Sequence, residues 1–162
     1  MKKTRMTGGA IVLLGLAAFV APAGAATPAA APALRLDDAL AMARSATDFA
    51  RRQGQTVSIV IVNREGRVIL SQRMDGASFM SLDVAQAKAT TAAALGVPTR
   101  LLEEQLAKGD MSALSVPGAI TIAGGVPVLA EGRTIAAIGV SGGMPKDDEA
   151  AAAAGRDHLT AR

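Results

Sequence analysis

The sequence predicts a three-layer α/β domain built on a five-stranded antiparallel sheet. Three observations carry this. Apolar runs of strand length come in pairs joined by Gly-containing turns, at 56–63 with 67–74 and at 126–130 with 134–140, the pattern of β-hairpins. Ala-rich segments with helical spacing stand before, between and after those pairs. The run TVSIVIVN at 56–63 is apolar on both faces, so helices must cover both sides of its sheet. The expected order is α-β-β-α-α-β-β-β-α.

Residues 1–25 stand apart from that domain and read as a signal peptide. Lys2, Lys3 and Arg5 form a basic start, 8–21 an apolar stretch, and Ala23-Gly24-Ala25 a small-residue cleavage site. The apolar stretch is short for a membrane span, so no stable membrane anchor is expected after cleavage, and the protein is expected to be periplasmic or secreted. Cleavage after Ala25 leaves 137 of the 162 residues, enough for one domain with its own core. The formal charge of +3 is carried by the three basic residues of the removed segment, so the mature chain is neutral. With no basic cluster and almost no aromatic residues, a nucleic-acid partner is excluded. An exported chain without Cys has no disulfides to hold it. Phe49 and Phe79 are the only aromatics beyond residue 25, so the core must be Ile, Val, Leu, Ala and Met.

Residues 26–34 are an Ala/Pro linker, and 35–162 form the domain. Asp37 is the expected N-cap of the first helix. Ala39, Leu40, Ala43, Ala46 and Ala50 form its apolar stripe, Arg51 and Arg52 suit its last turn, and Gly54 suits the position just past it. Two strands follow, 56–63 and 67–74, joined by Asn63-Arg64-Glu65-Gly66. Asp75-Gly76 breaks the second strand, and Ser78 or Ser81 caps a helix running to about 95. Leu82, Ala85, Ala89, Ala92 and Ala93 share one side of it, with Lys88 among them. Gly96-Val97-Pro98 stops that helix, and Thr99 caps a shorter one that ends at Lys108-Gly109-Asp110. Residues 113–116 are irregular, Pro117-Gly118 turns, and 119–123 form a short strand. The hairpin 124–143 turns at Glu131-Gly132-Arg133, and a helix over 146–159 opens with Asp147 and Asp148.

Several residues are candidates for a site. Gly124, Gly125, Ser141 and Gly142 either expose backbone N–H groups to an anion or serve tight turns and close packing. Lys88 either binds a ligand carboxylate or pairs with Asp75 or an acid of a neighbouring subunit. Met74 and Met80 flank 75–77 and either line an apolar pocket or fill the core. Asp147, Asp148 and Glu149 fit charge stabilisation of a helix N-terminus better than a metal cluster. His158 is the only His; alone it is a weak metal candidate, since one imidazole does not hold a free ion. No phosphate loop is present, and no catalytic set emerges.

Three segments together carry a family resemblance: VSIVIVNREGRVILSQRMDGA at 57–77, the pattern A-x-x-K-A-x-T-A as Ala85, Lys88, Ala89, Thr91 and Ala92, and GGVPVLAEGRTIAAIGVSGG at 124–143 followed by DDEAAAAAG. In these the chain resembles the GlcG/HbpS-like family of small haem-binding proteins, sometimes labelled haem-degrading, which includes the C-terminal domain of PduO-type cobalamin adenosyltransferases. The resemblance implies a profilin-like three-layer α/β/α fold, a homo-oligomer, often an octamer, and a pocket for haem or a related tetrapyrrole. That pocket is expected between the 75–88 segment and the 124–143 hairpin, with Met74, Asp75, Lys88, Thr91, Gly124, Gly125, Ser141 and Gly142 as its candidate residues. Members with a described haem or corrinoid contact use a His near the first helix, whereas 37–53 holds none here. The usual axial ligands of haem iron therefore reduce to His158 and to Met42, Met74, Met80, Met111 and Met144. Three functions follow: haem storage, scavenging or sensing outside the cytoplasm; an enzyme or accessory factor whose Lys88 and Gly-rich turn hold a small organic acid; or a ligand-free assembly module.

Overall fold

The computed structural model describes residues 33–160, apart from the side chain of Thr160. The expected signal peptide 1–25 and the linker as far as residue 32 lie outside the described residues, as do 161–162.

The elements run α1 (Leu36–Arg52), β1 (Ser58–Asn63), β2 (Val68–Arg73), α2 (Ser81–Leu95), α3 (Thr99–Ala107), a 3-10 turn (Ser112–Ser115), β3 (Gly125–Ala130), β4 (Arg133–Ser141) and α4 (Pro145–Thr160). The four strands form one antiparallel sheet in the order β2-β1-β4-β3. The caps fall one or two residues from expectation: Arg35, Met80 and Pro98 occupy the positions predicted for Asp37, Ser78 or Ser81, and Thr99. Gly54 takes its predicted place past α1, with φ +69°.

The expected fifth strand, 119–123, is not a strand. Two of its N–H groups are bound by side chains instead of by a neighbouring ladder. Thr91 Oγ1 accepts from Ile120 N–H at 3.0 Å, and Glu103 Oε2 accepts from Ala123 N–H at 2.7 Å. Helices α2 and α3 thereby tie the segment down and occupy the donors that a sheet would need.

Both hairpin turns follow from their residues. Asn63 Oδ1 accepts from Glu65 N–H and Arg67 N–H, and Gly66 takes φ +74°. Glu131 and Gly132, at φ 51° and 73°, form the two-residue loop that joins β3 to β4 with the twist of the strands.

The alternation along each strand divides the core in two. Val57, Ile59, Ile61, Val126, Val128, Ile138 and Val140 face α1 and α4. Val60, Val62 and Ala137 face Ala85, Ala89, Ala92 and Ala93 of α2. Three layers result, as expected. The α2 layer packs tightly because its contact residues are small. At Gly139 an added Cβ would stand 2.0 Å from Ala85 O, so only glycine lets β4 pass under the helix.

Candidate functional site

Lys88 lies one turn from Ala85 on the stripe of α2 that meets the sheet, so its stem runs inward instead of into water. Its path leads past the start of β3. There Gly124, at φ +126°, leaves room: an added Cβ would lie 2.8 Å from Lys88 Nζ and 2.7 Å from Val140 O. Gly125 is crowded in the same way, with its Cβ direction 2.3 Å from Lys88 O. The paired glycines are spaces for a helix and a lysine, which favours close packing over an anion cradle.

The ammonium ends in an ion pair. Lys88 Nζ donates to Asp148 Oδ2 at 2.7 Å and to Val140 O at 3.1 Å, with side-chain exposures of 1% and 3% for the two residues. Asp148 Oδ1 accepts from Gly143 N–H at 2.9 Å, so both carboxylate oxygens are used. Its position in the first turn of α4 adds the favourable field of a helix N-terminus. The pair joins the α2 layer to the α4 layer around the end of the sheet. Thr99 Oγ1 accepts from Gly125 N–H at 2.9 Å and ties α3 to the same point.

The predicted site residues therefore separate. Lys88, Gly124 and Gly125 come together with Asp148 and Thr99 in a buried knot. Thr91 is buried and holds Ile120. Ser141 ends β4 opposite Ser58, and Gly142 passes close to Thr56 and Val57. Met74 and Asp75 line a separate polar cleft of about 430 Å³ at the β2 edge, with Thr47, Arg51, Gln72 and Arg73. His158 lines a third place, a cleft of about 450 Å³ between α1 and α4 with Arg44, Asp48 and Arg52. Among the described residues, no group of three or more His, Asp or Glu side chains is arranged to hold a metal ion.

Glu149, next to Asp148, is a perturbed acid. Burial raises its carboxyl above the ordinary value, and the hydrogen bond and charge of Arg100, 3.2 Å away, oppose that shift. The nearby Glu103 and Glu104 carboxylates push in the same direction as burial, and Arg100 is shared with Glu104.

A more apolar cavity lies elsewhere. It is an apolar groove of about 690 Å³ along the outer edge of β3, floored by Pro127, Val128, Leu129 and Ile135 and closed by Leu34 and Leu159. The sequence reading missed both this groove and the Lys88–Asp148 pairing. Pro127 inside a strand was the available signal for an edge. No local signal joins residues that are 60 positions apart.

Residues 34–157 match the family described as Haem degrading protein HbpS-like. The chain is 31% identical over 103 residues to Protein GlcG of Escherichia coli K12, covering 64% of this chain and 77% of that protein. It shares 37% identity and a TM-score of 0.76 with a double mutant of Streptomyces reticuli HbpS, over 86% of this chain and 97% of that one. A PduOC:heme complex superposes with a TM-score of 0.72 at 27% identity, over 78% of this chain and 95% of that one.

Proposed function

We propose that this chain, which belongs to the HbpS-like family, binds haem or a related tetrapyrrole and does so as an exported homo-oligomer. The observation that carries the reading is the family match across 34–157, joined to the likeness of the whole domain to a protein crystallised with haem. Storage, scavenging or sensing are the roles that fit a binding protein of this kind. Export is supported by Lys2, Lys3 and Arg5, the apolar stretch 8–21 and Ala23-Gly24-Ala25. Assembly is supported by large apolar side chains left in water: Phe79 is 83% exposed, and Met80, Met111, Leu114 and Met144 are each more than half exposed.

The fit to haem divides into two parts. The groove beside β3 suits an apolar macrocycle, since about 690 Å³ lies within the ~300–1,000 Å³ of small-molecule sites. When bound, haem would supply a redox-active iron; this chain's residues would supply an apolar wall and the exclusion of water from one face. The iron itself finds no usual ligand in that wall. The organic-acid reading loses its anchor, because Lys88 is already spent on Asp148.

Titrating the mature protein with hemin tests the proposal. A Soret band displaced from that of free hemin, saturating at a fixed ratio per protomer, is expected. A band identical to free hemin at every ratio overturns it.

A further inference from the structure

We propose that the tetrapyrrole seat is the groove along the outer edge of β3, and that it holds the macrocycle without ligating the iron. This rests on the tetrapyrrole reading above and adds the place and the mode of binding.

The edge of β3 is closed to another strand. Val140 N–H donates to Gly124 O, so Gly124 and Val140 are a hydrogen-bonded pair. Alternation then turns the N–H positions of 125 and 127 outward, away from β4. The first is taken by Thr99 Oγ1, and the second does not exist because residue 127 is proline. A peptide strand finds few donors there. What remains is an apolar wall that suits a ligand needing contact more than hydrogen bonds.

No usual haem ligand lines the groove. The lining contains neither His nor Met, and the chain has neither Cys nor Tyr. His158 faces the cleft between α1 and α4, and Met74 faces the cleft at the opposite edge of the sheet. Met42 is fully buried under the sheet. The charges at the mouth are Asp38, Asp157 and Arg156, with Arg156 held by Asp157 at 2.6 Å. This mouth does not draw two propionates inward, so the carboxylate edge of the ligand stays in water.

The test is a parallel titration of the full mature chain with hemin and with metal-free protoporphyrin IX. Hemin is followed by absorbance and the porphyrin by its own fluorescence. The two affinities are expected to agree within about tenfold, or about 1.4 kcal/mol. Added imidazole is expected to shift the spectrum of bound hemin, because its axial positions are open. Leu129→Arg, at a position 55% exposed and hence tolerant of change, is expected to weaken both ligands by more than about tenfold, with an unchanged melting curve. Met74→Ala and His158→Ala are expected to leave both affinities unchanged.

If hemin binds and protoporphyrin IX does not, or if either of those two alanine variants abolishes hemin binding, the groove inference fails and the tetrapyrrole reading survives. Undiminished binding by Leu129→Arg overturns the location. If neither ligand binds, the tetrapyrrole reading itself falls.

Discussion

Replacing Lys88 with Met keeps most of the aliphatic stem and removes the ammonium. Asp148 then keeps its bond to Gly143 N–H but loses its counter-charge in a site where its side chain is 3% exposed. Removing one partner of a buried pair costs about 3–5 kcal/mol, because the remaining charge is left without compensation. Against a total stability of about 5–15 kcal/mol that is a large fraction. It corresponds to a fall in melting temperature of roughly 10–20 °C for a domain of this size. With no Trp or Tyr in the chain, unfolding in urea is best followed by far-UV circular dichroism. Asp148→Asn is expected to cost a similar amount. The double variant should be less destabilised than the sum of the two by about 2 kcal/mol or more, since no lone charge stays buried. A cost below about 1 kcal/mol for Lys88→Met, as for an exposed pair, would refute the buried latch. Weakened tetrapyrrole binding by this variant at unchanged stability would return Lys88 to the ligand site.

Three further outcomes are expected. Gly139→Ala forces a Cβ to within 2.0 Å of Ala85 O and should cost about 3 kcal/mol or more, read as loss of soluble folded protein; a normal melting curve would contradict the packing described. Thr99→Val preserves shape but strands Gly125 N–H and should cost about 1–3 kcal/mol in urea unfolding, whereas a neutral result would mean that the donor finds another partner. Glu149 has a folded pKa raised above its ordinary 4.5, so the folded state binds its proton more tightly and this group's contribution is lost as pH rises through the raised value. Glu149→Gln should therefore gain stability relative to the parent as pH rises from about 4 to 7. A difference that stays flat, or moves the other way, would show that Arg100 dominates.

Much of the fold was legible because its signals are local. Asn63 and Gly66, Glu131 and Gly132, and Gly54 each act within a few residues of themselves, and the turns and helix end follow directly from them. The two-sided apolar strand at 56–63 implied cover on both faces, and both faces are covered. The segment 119–123 was misread because its strand-like apolar character says nothing of where its N–H groups go. Thr91 and Glu103 decide that from other helices. The site was less legible for a related reason. Lys88 and the glycine pair at 124–125 were visible as unusual residues, but their meaning depends on Asp148, which reads locally as an ordinary helix-opening acid. The groove beside β3 gathers Leu34, Leu129 and Leu159 from three distant parts of the chain, none of them distinctive in sequence.

The central claim is that this domain holds a tetrapyrrole. Native mass spectrometry of the mature protein, equilibrated with hemin and freed of excess, tests it most directly. The account predicts an oligomer whose mass includes one hemin per protomer. An oligomer or monomer carrying no hemin would contradict it.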